Sequence, residues 1–110
     1  MEEKKFIKLC KFFVTSYVNE HLDKSDDKFI SEDDVYIVWM CRTLQNSKAL
    51  LSTTLPDGMY YELTWNGDKG ELYIDAYKKF QNRCIPVRVE GGGPFQRYLE
   101  GSDEEHPAFN

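Results

Sequence analysis

Basic clusters, paired cysteines, long apolar runs and histidine are what this chain is short of, and each shortage closes off a class of protein. No block of Lys and Arg exists to displace the counterions of a DNA duplex, which argues against duplex DNA as a ligand. The three cysteines, Cys10, Cys41 and Cys84, are odd in number, far apart and without a CxxC. They suit a reducing compartment better than a disulfide framework, and each reads as a small buried apolar residue. No apolar run approaches the roughly 20 residues of a membrane span. The N-terminus MEEKKFIKLC mixes charges into positions where a secretion signal would be uninterrupted. A cytoplasmic location is therefore expected, with no membrane partner. His21 and His106 have no nucleophile or carboxylate close in sequence, so neither a catalytic constellation nor a cofactor is expected. Gly91-Gly92-Gly93 lacks the helix and lysine of a phosphate loop and reads as linker.

What is present suffices for one modest core: 110 residues, 41% of them hydrophobic and 15% aromatic. The net charge of -5 is uneven, with -4 in Asp23 to Asp34, -3 in Gly91 to Asn110 and +2 in the remainder.

From Glu2 to about Leu22, Phe6, Leu9, Cys10, Phe13 and Tyr17 recur at helical steps, and Ile7, Val14 and Val18 widen the stripe. Glu2 and Glu3 favour the positive end of the helix dipole, and His21 suits its negative end. The period then changes. VYIVWMCRTL, Val35 to Leu44, is rich in β-branched and aromatic residues and reads as a strand, although Ser31 with Asp34 imitates a capping box and leaves a short helical start open. Ser47 punctuates, and Lys48 to Leu55 forms a second strand ending at the turn Pro56-Asp57-Gly58.

Met59 to Trp65 and Glu71 to about Phe80 make a hairpin around NGDKG. Alternation puts Met59, Tyr61, Leu63 and Trp65 on one face with Leu72, Ile74, Ala76 and Phe80. Tyr60, Glu62 and Thr64 share the other with Tyr73, Asp75 and Tyr77. A four-residue loop from Gly67 to Gly70 would set Glu62 opposite Asp75, so a two-residue turn centred on Gly67-Asp68, matching Glu62 with Tyr73, is the preferred register. The fold class is α+β, an N-terminal helix packed on a four-stranded antiparallel β-meander. Residues 1–88 are expected to form the single domain, and 89–110 a flexible Gly/Pro-rich acidic tail with one sticky segment, Pro94 to Leu99.

The acidic stretch DKSDDKFISEDD invites comparison with a calcium loop. Asp23, Ser25, Asp27 and Asp34 fall at ligand positions one, three, five and twelve, but Lys28 replaces the turn glycine and Asp34 is shorter than the bidentate glutamate. A solvated acidic connector is the plainer reading, with no metal. The better candidate is a binding surface: Tyr60, Glu62, Tyr73, Asp75 and Tyr77, apolar in body and polar at the tip, facing away from the helix. In the first strand Val35, Ile37, Trp39 and Cys41 alternate with Tyr36, Val38 and Met40, which leaves both faces apolar. A second covering layer is then needed, either another copy of the chain in a homo-oligomer or the tail residues Phe95, Tyr98 and Leu99 folding back.

The block IVWMCRTLQNSKALLSTTLPDGMYYELTWNGDKGELYIDAYKKFQN carries Trp39, Thr43-Leu44-Gln45-Asn46, Lys48-Ala49-Leu50, Ser52-Thr53, Asp57-Gly58, Tyr60-Tyr61-Glu62, Asn66-Gly67, Asp75 and Tyr77-Lys78-Lys79. On these residues the chain, over Phe6 to Val87, resembles a family of small proteins of Gram-positive phages and prophages classed as a domain of unknown function. That resemblance implies an accessory protein acting inside the bacterial cell, and it supplies no activity and no catalytic residues. The expected function is non-enzymatic: protein–protein interaction with a host or phage protein, possible forms including inhibition of a host or antiviral-defence factor. The alternative is a single-stranded nucleic-acid or nucleotide binder that stacks bases on the tyrosines.

Overall fold

A computed structural model describes residues 1–22 and 28–101. The chain divides into two compact units, Met1–Lys79 and Phe80–Asn110.

The first unit opens with α1, Glu3–His21, whose buried residues are Phe6, Cys10, Val14 and Val18. Steps of four advance about 40° beyond each full turn, so the buried seam winds around the helix instead of running straight. Leu9 and Phe13 fall to one side of that seam, and Phe13 remains 42% exposed. Asn19 fastens the chain that follows: its Nδ2 donates to the Ile30 carbonyl at 3.0 Å, and the Ile30 amide donates to its Oδ1 at 2.9 Å. Ile30 is thereby held in the core.

Ser31 and Asp34 then frame a single 3-10 turn, Glu32–Asp34, in which the Ser31 amide donates to Asp34 Oδ2 at 2.9 Å. The helical start and the strand expected from sequence are both present, one after the other. Four antiparallel strands follow in a meander, β1 (Val35–Thr43), β2 (Asn46–Thr53), β3 (Met59–Asn66) and β4 (Glu71–Lys78), in spatial order β1-β2-β3-β4. The α+β class and the helix-plus-meander arrangement read from sequence are the observed ones. Val35, Ala49, Leu51, Tyr61 and Leu63 meet the helical seam, and Leu51 and Leu63 are fully buried. Each such leucine contributes about 2 kcal/mol from burial.

Four expectations are corrected. The turn between β1 and β2 is Leu44-Gln45, with Thr43 opposite Asn46, so Ser47 is a buried strand residue and not punctuation. Leu44 takes a left-handed φ of 56° there, a conformation that glycine would normally supply and that sequence therefore did not mark. Second, the ladder between β1 and β2 slips between Ile37 and Trp39. Val38 is the extra residue of a β-bulge, and Trp39 lies opposite Leu50, on the face away from the helix, instead of sharing the face of Val35 and Ile37.

Third, β3 and β4 pair with Glu62 opposite Asp75, through the four-residue loop Gly67 to Gly70. The loop is held by Asn66 Oδ1, which accepts from the amides of Asp68 (3.1 Å) and Lys69 (3.3 Å), and the left-handed position is Gly70 (φ 63°). The repulsion that disfavoured this register is relieved from β2, where Lys48 Nζ sits 3.3 Å from Glu62 Oε1. Gly67 serves a different purpose. A Cβ there would lie 2.3 Å from the Gln45 carbonyl oxygen, so its bare Cα lets the two turns touch. Fourth, only Cys10 of the cysteines is buried; Cys41 and Cys84 are exposed.

In the second unit, β5 (Val87–Glu90) and β6 (Arg97–Glu100) pair as an antiparallel hairpin around a 3-10 turn at Gly93–Phe95. Arg97 and Arg88 both bridge to Glu90, at 3.1 and 3.2 Å. Gly93 and Pro94, read from sequence as part of the linker and tail, stand in this turn. No helix among the described residues is long and apolar enough to cross a membrane.

Candidate functional site: the open face of the sheet

Strand pairing in the first unit arranges the side chains that point away from α1 into rows across four strands. Tyr36, Ser52, Tyr60 and Tyr77 form one row. Trp39, Leu50, Glu62 and Asp75 form the next, and Cys41, Lys48, Thr64 and Tyr73 a third. All five residues singled out from sequence, Tyr60, Glu62, Tyr73, Asp75 and Tyr77, lie on this face, on β3 and β4.

Tyr36, Trp39, Tyr73 and Tyr77 are between 41% and 51% exposed, so the large aromatic groups of this face are open to solvent. Between two of the rows Trp39, Leu50, Tyr60, Glu62, Tyr77, Lys78 and Lys79 line a shallow hollow of about 340 Å³. Its walls are aromatic, and Glu62, half-buried and paired with Lys48, contributes charge on its floor. The Tyr73 hydroxyl donates to Glu71 Oε2. That hydrogen bond, and secondly the carboxylate's charge, hold the Tyr73 phenol above its ordinary pKa.

Tyr36, Trp39, Lys48 and Leu50 belong to the surface and were missed in the sequence reading. Lys48, Leu50 and Ser52 do alternate, and that was a usable signal. Trp39 had none, because the bulge at Val38 reverses the alternation just before it.

The helix side of the sheet is only partly covered. The α1 seam lies over β1, β2 and the middle of β3, and beside it a groove of about 470 Å³ runs between Leu9, Phe13 and Tyr17 of the helix and Trp65, Leu72 and Ile74 of the sheet. At its end Tyr17 stacks on His21 at 4.1 Å and meets Tyr61 edge-on at 5.6 Å. His21 Nδ1 is 2.7 Å from the Tyr17 carbonyl oxygen, which ties the ring to the last helical turn. Burial pushes the Cys10 thiol up to about 12, which makes it a packing residue and not a nucleophile.

For the calcium comparison, Asp23, Ser25 and Asp27 lie outside the described residues. Asp34 is within them, and its carboxylate is engaged by the Ser31 amide, while the chain leaves it as strand and not as helix. Among the described residues no group of three or more His, Cys, Asp or Glu is placed to hold a metal ion.

A family model described as "Family of unknown function (DUF6275)" matches residues 7–87, which take in α1 from its fifth residue onward and the whole four-stranded sheet. Neither the curated proteins nor the solved structures yield a match.

Proposed function

The chain belongs to the DUF6275 family, a family of unknown function, and we propose that it is a non-enzymatic binding protein that presents the open face of its sheet to another protein. The observation that carries this reading is the exposure of Tyr36, Trp39, Tyr73 and Tyr77 together on one face. Aromatic residues of this kind supply large contact area at low side-chain entropy, and they concentrate in the centres of protein interfaces. Glu62, Asp75 and Lys48 add charges that select a complementary partner.

The phage or prophage origin that the sequence resemblance implies would give that partner a place: a host or phage protein met inside the bacterial cell, a host or antiviral-defence factor being the natural target of inhibition. A homo-oligomer belongs to the same reading, since apolar side chains are exposed on both faces of the sheet.

The test compares the wild-type chain with Trp39→Ala/Tyr77→Ala as baits in lysate of a Gram-positive host. Both residues are half-exposed, so the variant should melt within a few degrees of wild type while losing the retained protein. Retention of the same proteins by both baits refutes the assignment of this face.

One observation favours a second reading, a single-stranded nucleic-acid binder: Lys78 and Lys79 flank the hollow beside Tyr60 and Tyr77. Glu62 and Asp75 at the centre of the face oppose a phosphate backbone. Salt-sensitive quenching of Trp39 fluorescence by an oligonucleotide would move the assignment to this reading.

A further inference from the structure

The sheet has two outer edges, and they are not alike. Edge strands invite pairing with another chain unless something blunts them, such as a bulge, a proline or brevity. At β1 the bulge at Val38 interrupts the ladder. At β4 the eight residues Glu71–Lys78 pair with β3 without interruption and contain no proline, and β4 ends the order β1-β2-β3-β4 among the described residues.

Which backbone groups of β4 point outward follows from one bond. The Lys79 amide donates to the Gly58 carbonyl at 2.8 Å, continuing the ladder in which Met59 faces Lys78. In an antiparallel pair, residues that exchange hydrogen bonds alternate with residues that do not. Lys79, Tyr77, Asp75 and Tyr73 therefore bond to β3. Leu72, Ile74, Ala76 and Lys78 direct their N–H and C=O groups to the outer edge of the sheet, where no backbone hydrogen bond among the described residues of the first unit occupies them.

We infer that β4 pairs with β4 of a second copy of this chain, antiparallel about a two-fold axis at Ile74, joining two sheets into one of eight strands. This rests on the homo-oligomeric part of the proposed function and identifies the surface that makes it. With Ile74 opposite Ile74, the outward groups of Leu72, Ile74 and Ala76 complete about six backbone hydrogen bonds between copies. On the helix side Leu72 meets Ala76, apolar against apolar. On the open face Tyr73 meets Asp75 and Glu71 meets Tyr77, so every carboxylate in the ladder faces a phenol.

The neighbouring registers fare worse. Centring the axis on Tyr73 sets Glu71 against Asp75 twice. Centring it on Asp75 sets that carboxylate against itself and Leu72 against Lys78; the Glu71–Lys79 pairs gained at the solvent-exposed ends are of the kind that contributes little. In the preferred register Lys69 and Lys79 approach only beyond the ends of the ladder. Ile74 also floors the groove beside α1, so pairing makes the two grooves continuous, and the two aromatic faces end on the same side of one sheet.

The experiment uses the full chain with Cys41→Ser and Cys84→Ser, into which Tyr73→Cys, Ile74→Cys or Asp75→Cys is introduced singly. Two residues at a hydrogen-bonded antiparallel pair have Cα atoms about 5.5 Å apart, within the span of a disulfide. Mild oxidation is expected to link Ile74→Cys into dimers at least about tenfold faster than either neighbour. Sedimentation equilibrium is expected to give a dimer for the wild-type chain and a monomer for Ile74→Lys, which places two ammonium groups at the axis. Because Ile74 is 36% exposed, this variant should keep its far-UV spectrum; if it fails to fold, the cysteine series decides alone.

A wild-type chain that stays monomeric at the highest attainable concentration overturns the inference and the homo-oligomer together. A wild-type dimer in which Ile74→Cys links no faster than its neighbours overturns the edge pairing and leaves the homo-oligomer standing. Neither result bears on partner capture at Trp39, which lies on β1, away from the paired edge.

Discussion

Deleting Val38 should leave the fold intact, whereas deleting Met40, two residues along the same strand, should not. With the bulge in place, Ile37 faces Leu51 on the helix side, Trp39 faces Leu50 on the open side, and Met40 faces Ala49 on the helix side. Removing Val38 gives a regular strand in which each of these residues keeps its present face. The side chain lost is 46% exposed, a cost of about 1 kcal/mol. A restored ladder hydrogen bond returns about 0.5–1.5 kcal/mol, so the net change should lie within about 1 kcal/mol. Removing Met40 offers no such escape. Either the bulge closes and Trp39 turns toward Ala49 and the core, or it persists and Cys41 takes the place of Met40 while Arg42 and Thr43 change faces. Overpacking by the indole alone costs about 1–3 kcal/mol. Urea unfolding followed by far-UV circular dichroism measures both deletions. Acrylamide quenching in a Trp65→Phe background reports whether Trp39 is still open to solvent. A loss above about 2 kcal/mol on deleting Val38, or a shielded Trp39 in that variant, would refute the assigned register.

Two further outcomes test local features. Leu44→Gly should stabilise the chain by about 0.5–1 kcal/mol in urea midpoint measurements, because glycine removes a left-handed-φ cost of roughly 1–2 kcal/mol against an unfolded-state entropy of smaller size; Leu44 is 83% exposed at φ 56°, so no packing is lost, and a lower midpoint would contradict the turn. Stability should also fall as pH rises from about 9 toward 12. Burial lifts the Cys10 thiol from 9.0 to about 12, and burial, then Asp57 and Tyr17, lift the Tyr61 phenol from 10.0 to about 12. Both groups are neutral when folded and ionise first in the unfolded chain, so their stabilisation is complete below the unfolded values and is lost above them. Tyr61→Phe should flatten the pH 10 to 12 part of this profile, and an unchanged slope would refute the burial of that hydroxyl.

The helix and the two faces of the β3–β4 hairpin were legible because their signals are periodic and local: steps of three and four from Phe6 to Val18, and strict alternation from Met59 to Trp65. What escaped depends on atoms distant in sequence. The like charges at Glu62 and Asp75 are tolerated beside Lys48, a residue of a third strand that a two-strand comparison cannot contain. The bulge at Val38 leaves no mark in VYIVWMC, where every residue suits either face. The turn at Leu44-Gln45 has neither glycine nor asparagine at its left-handed position. Phe13 looked like core because it has the right spacing, yet whether a helical residue is covered depends on where the helix lies on the sheet. Here α1 lies toward β1 and β2, which leaves Phe13 beside the groove. The placement of Tyr60, Tyr73 and Tyr77 on the open face followed from the same alternation that gave the hairpin, and that of Trp39 was lost with the bulge.

Consequences of that bulge extend beyond Trp39. A sheet with two straight edges could add copies at both ends and grow without limit, since heterologous or doubly sticky units form open assemblies. Interruption at Val38 leaves β1 poorly suited to pairing, while β4 is regular over its whole length. One receptive edge in the four-stranded sheet permits that sheet a closed pair and no longer ladder. The Val38 deletion therefore separates two properties in one variant: stability should scarcely change, but β1 becomes as regular as β4, and assemblies larger than a dimer should appear in sedimentation velocity. A deletion variant that remains dimeric would mean that the bulge shapes the open face alone and does not limit assembly.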